Sequence, residues 1–239
     1  DELILFNFTN YGPLYPLSEM FDKTDQKEAD FWGMTTYHKY PSDPFKLIPC
    51  GYIPEHLQSH WIAIRKRMFT SSEFKSYWEK LPPIRNYSEA VALHEAIFTR
   101  HFYEKGFSWF SYIDTDDLKD TTEYPLFFLP MEMLKRRCPI IKRKMFFYDY
   151  LSRAQISSGK NTTDAFEYIK NHLDYDTDMI WQDLLRTSHQ EDIHNNLHLE
   201  YVLPLRRMDG VSASPKKVAL ICHSYFEDLF ETCFGYIKS

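Results

Sequence analysis

Glu95 is the residue whose type and position most demand explanation. It lies on a helical stripe with Val91, Phe98 and Phe102, four residues after the valine and three before Phe98, so its carboxylate turns inward. Burying a lone carboxylate costs several kcal/mol or forces it to take up a proton. Such a glutamate is either held by an arginine or backbone donors within the core, or it works as an acid or base. A second cluster is cationic. Lys135, Arg136, Arg137, Lys142, Arg143 and Lys144 put six basic residues into ten positions, a run that can face phosphates, an anionic bilayer or simply water. The turn Asn7-Phe8-Thr9-Asn10 offers neutral oxygens to a ligand, or serves only to reverse the chain. His56, Gln58 and Ser59 open a strand and could bind hydroxyl groups, or be an ordinary polar strand end. His189, His194 and His198 could share a helical face, but without an HExxH-type arrangement they read as a surface run. Asp30, at the start of a strand, is a structural cap or a site residue, and its position favours the cap. The loop from Asp114 to Asp120 lacks the glycine and spacing of an EF-hand and reads as solvated.

The elements that must position these residues follow from periodicity. Glu2 to Phe8 is a short apolar run expected to form a buried strand. A helix from about Leu14 to Phe21 and a second strand from Ala29 to Thr35 give the rhythm of an α/β sheet. Tyr37 to Pro54, rich in proline, reads as a long loop of the kind that carries function. The stretch from His56 to Phe107 reads as strand, turn, helix, proline break and long helix, with Ser88 as N-cap and Gly106 as the stop. A strand at Ser108 to Ile113 follows, then helices at Thr162 to Leu173, capped by Asn161 or Thr162, and at Asp176 to Leu185, with His189 to His198 as a polar helix or loop.

Composition sets the frame. With 239 residues, 44% hydrophobic and only 7 glycines, the chain is an ordered globule, and its net charge of −6 argues against nucleic acid as a partner. Cys50, Cys138, Cys222 and Cys233 form no CxxC, so neither a zinc site nor a disulfide framework is expected, which fits a reducing cytoplasm. No apolar run is long enough to span a bilayer. Aromatic residues reach 17%, and their faces suit the stacking of sugar rings. The chain starts on a core strand, which reads as a fragment. Residues 1–205 are expected to form one domain, 206–215 a Gly, Ser and Pro-containing linker, and 216–239 the strand and helix of a second, incomplete one.

Several blocks add a resemblance. FNFTNYGPLYPLSEMF, ADFWGMT, HLQSHWIAIRKRMF through EFKSYWEKLP, and HEAIFTRHFYEKGF resemble, in order, successive blocks of the bacterial rhamnan synthesis F family of glycosyltransferases, between Leu3 and Phe147. KKVALICHSYFEDLFE resembles the opening of that family's second domain. More loosely, the middle is similar to the later half of family-2-type GT-A transferases, where an acidic motif sits on a helix ending at a glycine. Glu95 stands eleven residues before Gly106, the spacing of that motif.

The resemblance implies an α/β fold: the later half of a GT-A-like domain, its nucleotide-binding part lying before Asp1, so that the fragment alone is inactive. It implies inverting transfer of rhamnose or a related sugar from a nucleotide sugar such as dTDP-rhamnose to a lipid-linked polysaccharide. Glu95 would be the general base, and the work would be done in the cytoplasm, by peripheral contact with the inner face of the membrane. GT-A enzymes commonly hold Mg or Mn with Asp-x-Asp, and this family often shows Asn-Asp-Ser or Asn-Asp-Thr. Here the residues are Asn7-Phe8-Thr9, with no acid. Two expectations follow. In the first, donor binding needs no metal and rests on Asn7, Thr9, Asn10, Arg65, Arg67 or the later basic cluster, with His56, Gln58 and Ser59 on the acceptor. In the second, the chain is a non-catalytic carbohydrate-binding or scaffold module.

Overall fold

The computed structural model describes residues 1–149 and 159–200, together with Phe230, Glu231, Phe234 and Gly235. The chain divides into two compact units, Asp1–Leu199 and Glu200–Ser239. The linker expected at 206–215, the strand and helix expected after it, Cys222 and Cys233 all lie outside the described residues.

The first unit is built on a mixed four-stranded sheet in the order β1 (Glu2–Phe6), β6 (Trp61–Arg65), β3 (Phe31–Gly33) and β7 (Trp109–Ser111). The first two pairings are antiparallel and β3 runs parallel to β7. Strand residues alternate between faces. Trp32 and Ala63 pack on one side with Met20 of α1 (Leu17–Asp25), Leu126 of α6 (Pro125–Phe128) and Met133 of α7 (Pro130–Lys135). Phe31, Ile62 and Ile64 pack on the other with Phe74 of α3 (Ser72–Glu79) and with Phe98 and Phe102 of α5 (Ala96–Tyr103). Each fully buried side chain of this size contributes about 1.5–3 kcal/mol of burial free energy, so the two faces together hold the helices in place. This is the α/β arrangement the sequence leads one to expect, with boundaries that differ at the ends. The first strand stops at Phe6, and the first helix starts at Leu17, immediately after Pro16.

A short ribbon, β2 (Asn10–Tyr11) against β8 (Ile141–Lys142), lies beside the main sheet. Tyr11 and Ile141 share a core cluster with Phe166 and Ile169 of α8 (Asn161–His172), Ile180 and Leu184 of α9 (Asp178–Thr187) and Ile193 of α10 (Gln190–Leu197). The side chains expected to cap α8 do other work. Asn161 donates to the Phe128 carbonyl at 2.6 Å and Thr162 to that of Met145 at 3.0 Å, tying the helix to the end of α6 and to the turn that follows β8. The long loop is present and ordered by Asp43, whose carboxylate accepts the backbone N–H groups of Phe45, Leu47 and Ile48 at 2.6–2.9 Å. No helix among the described residues is long and apolar enough to cross a membrane.

Candidate functional site

Glu95 is presented by an irregularity in its helix. After Pro82-Pro83 the chain enters α4 (Tyr87–Ala90), and the cap is Asn86, not Ser88: Asn86 Oδ1 accepts the Glu89 N–H at 2.9 Å. Both residues are capping types, and the one outside the first turn takes the role. Between α4 and α5 the chain makes a π-turn, Val91–Glu95, in which the Ala96 N–H reaches back to the Val91 carbonyl. Such turns insert a residue into the helix and recur at functional sites. Phe98 and Phe102 stay in the core, while Val91 and Glu95 are half-buried and line a cavity of 470 Å³. The helix ends at Gly106, whose φ of 86° suits a residue without a Cβ.

Asn7, Thr9, Gln58, Ser59, His60, Tyr124, Lys142, Arg143 and Lys144 line the same cavity, with Phe8, Tyr87 and Phe147 among the aromatic rings around it. Ser59 donates both its N–H, at 3.1 Å, and its hydroxyl to Glu95 Oε2. Oε1 takes no hydrogen bond from the described residues. The carboxylate is therefore oriented through one oxygen and leaves the other for a ligand. Gln58 is buried and accepts from Thr35 Oγ1 at 2.9 Å.

In the same cavity Thr9 donates its N–H to Asn7 Oδ1 at 3.1 Å and its hydroxyl to the same oxygen at 2.6 Å. Lys142 Nζ donates to Thr9 Oγ1 at 2.8 Å. Burial pulls the Lys142 ammonium down to a pKa of about 8, against the opposing pull of the Glu95 charge and with a further push from Lys144. Desolvation, with the Glu95 charge second, holds the Tyr124 phenol well above its ordinary range, and burial keeps His60 well below its own, hence neutral.

The Asn7-Phe8-Thr9 turn does not fit a divalent cation: its neutral oxygens bond to one another and to an ammonium group, a poor ligand set for a hard cation that favours carboxylates. Elsewhere, one group of three possible metal ligands lies within 4.8 Å among the described residues: His38, Glu55 and Asp116. Both ring nitrogens of His38 are engaged, one with Glu55 and one with Thr115. His198 bonds to the Gly159 carbonyl, and the three histidines of the α10 region form no such group among the described residues.

The structure thus brings Glu95, Asn7, Thr9, Gln58 and Ser59 together. Asn10 and His56 do not line the cavity. Asn10 pairs across from Lys142 in the ribbon, and His56 is buried, stacked on Tyr37 with its Nδ1 on the Pro54 carbonyl at 2.7 Å. Arg65 and Arg67, expected at the donor, do not line the cavity either. Arg65 is spent on Glu2 and on the carbonyls of Thr24, Lys27 and Ala29, whereas Arg67 grips Asp30 and the Gly106 carbonyl. Asp30 in turn accepts from Ser108, and Arg67 holds its carboxyl below the ordinary range, so Asp30 pins β3 to the chain entering β7. Sequence reasoning named the basic cluster as a whole but could not single out Lys142, and it passed over His60 and Tyr124. Lys142 carries a faint signal, being a lysine that follows two isoleucines in an apolar strand.

No curated protein and no solved structure matches the chain. The family model of rhamnan synthesis protein F does match, over residues 1–239, and the chain belongs to that family.

Proposed function

We propose that this chain takes part in transferring rhamnose or a related sugar from a nucleotide-sugar donor to a growing cell-surface polysaccharide, by an inverting displacement with Glu95 as general base. Family membership ties the chain to rhamnan synthesis, hence to building polysaccharide. The observation that carries the finer reading is the half-held carboxylate: Ser59 fixes Glu95 Oε2, and Oε1 has no hydrogen-bond partner among the described residues, in a cavity also lined by Lys142, Arg143 and Lys144. An acceptor hydroxyl at Oε1 would give up its proton there as its oxygen bonds to the anomeric carbon. The bond from that carbon to the diphosphate breaks, and the electron pair leaves with the phosphate oxygen, towards the cations. The exposed rings of Phe8 and Tyr87 offer faces on which a sugar can stack.

The missing acid at Asn7 to Thr9 favours a second reading, a non-catalytic carbohydrate-binding module that positions a glycan. One assay separates the two. With the full-length protein, Glu95→Gln should lower consumption of the nucleotide sugar about 10²- to 10⁴-fold while donor affinity holds. Equal consumption by wild type and variant removes Glu95 as the base. Glycan binding without any consumption selects the binding module.

A further inference from the structure

In most proteins a buried lysine has a carboxylate paired with it, and Lys142 has none among the described residues. Only 6% of the residue is exposed, and no carboxylate lies within ion-pair distance of its ammonium among the described residues. Its one hydrogen bond among those residues goes to Thr9, which leaves two donors. The position is fixed from the backbone upward. Lys142 pairs across from Asn10, and the next residue, Arg143, donates its N–H to the Thr9 carbonyl at 3.0 Å. The ammonium is therefore locked against the turn from Asn7 to Thr9, in the wall of the cavity that Glu95 also lines.

We infer that Lys142 binds the diphosphate of the nucleotide-sugar donor directly, so that donor binding in this chain needs no divalent metal. The inference rests on the glycosyltransferase reading and deepens it. A diphosphate supplies the counter-charge that the fold withholds, and its oxygens match the two remaining N–H donors. A cation at this turn also fits the absence of an acid from Asn7-Phe8-Thr9. An Asp at position 7 or 9 would pair with Lys142 and compete with the phosphate for it.

The test is calorimetric titration of the full-length protein with dTDP, UDP and GDP, once in EDTA and once with Mn²⁺. At least one nucleotide should bind with an affinity that EDTA leaves unchanged. Lys142→Gln should weaken that binding about tenfold to a hundredfold, the worth of one charge-assisted contact. Thr9→Val, which keeps the side-chain shape and removes only the oxygen anchoring the ammonium, should weaken it in the same direction even if Lys142→Gln fails to fold. Binding only in the presence of Mn²⁺, or undiminished binding by both variants, overturns the inference and leaves the transferase reading standing. Absence of nucleotide binding in both conditions overturns the two together.

Discussion

Two basic triplets lie seven residues apart, Lys135-Arg136-Arg137 at the end of α7 and Lys142-Arg143-Lys144 running out of β8, and the fold treats them differently. In the first, each cation has a carboxylate. Arg136 donates to both oxygens of Asp117 at 2.7 Å, Arg137 takes Glu19, and Lys135 lies 3.7 Å from Glu132. In the second, Arg143 pairs with Asp183 at 2.6 Å, Lys144 lies over the rings of Tyr124 and Phe127, and Lys142 has, among the described residues, a threonine hydroxyl alone. A cation already neutralised by its own chain has little left for an anionic ligand. One buried beside a cavity, with no carboxylate in ion-pair contact, can gain from an anionic ligand.

The comparison can be broken by removing one charge at a time. The largest contrast should be in donor affinity, where Lys142→Gln loses about tenfold to a hundredfold and Arg137→Gln loses nothing measurable. Equal losses would mean that general surface charge, not the cavity, attracts the nucleotide. A smaller effect sharpens the other wall: Ser59→Ala removes the hydroxyl that fixes Glu95 Oε2 and should slow turnover about fivefold, the worth of roughly 1 kcal/mol, without weakening donor binding.

The pH dependence carries a sign that other accounts would not give. Lys142 has a folded-state pKa of about 8, below the ordinary value of about 10.4, so within that window the unfolded chain keeps a proton that the folded chain has released. Stability therefore gains from Lys142 as pH climbs through the window. Donor affinity should fall over the same range, because the neutral amine no longer attracts phosphate. The groups acting on this ammonium are Glu95, which favours its charge, and Lys144, which opposes it, while His60 is neutral there. Denaturant melts and donor titrations at pH 7 and pH 9 should move in opposite directions, and parallel movement would contradict the assignment. The smallest effect belongs to the surface pair: Arg137→Gln should cost about 0–1 kcal/mol of stability, since solvent screens an exposed ion pair.

Much of this arrangement could be read from residue types. The strand expected from Ala29 to Thr35 holds Phe31 and Trp32 of the sheet core, and the helical stripe singled out Glu95. What could not be read depends on partners distant in sequence. Arg65 and Arg67 stand at the junction of β6 and α2 (Lys66–Phe69) like ligand-binding arginines, yet Glu2 and Asp30 claim them, 63 and 37 residues away. The π-turn leaves no trace in residue type, because an added residue in a helix is a matter of backbone bonding and tertiary fit. The division of the basic cluster was equally hidden, since it turns on Glu19, Asp117 and Asp183 reaching particular guanidinium groups.

A structure of the full-length protein with a bound nucleoside diphosphate would test the central claim most directly. The account places phosphate oxygens within hydrogen-bond distance of Lys142 Nζ, with the sugar side of the diphosphate directed towards Glu95. A nucleotide seated away from this cavity, or held through a metal ion remote from Lys142, would contradict it.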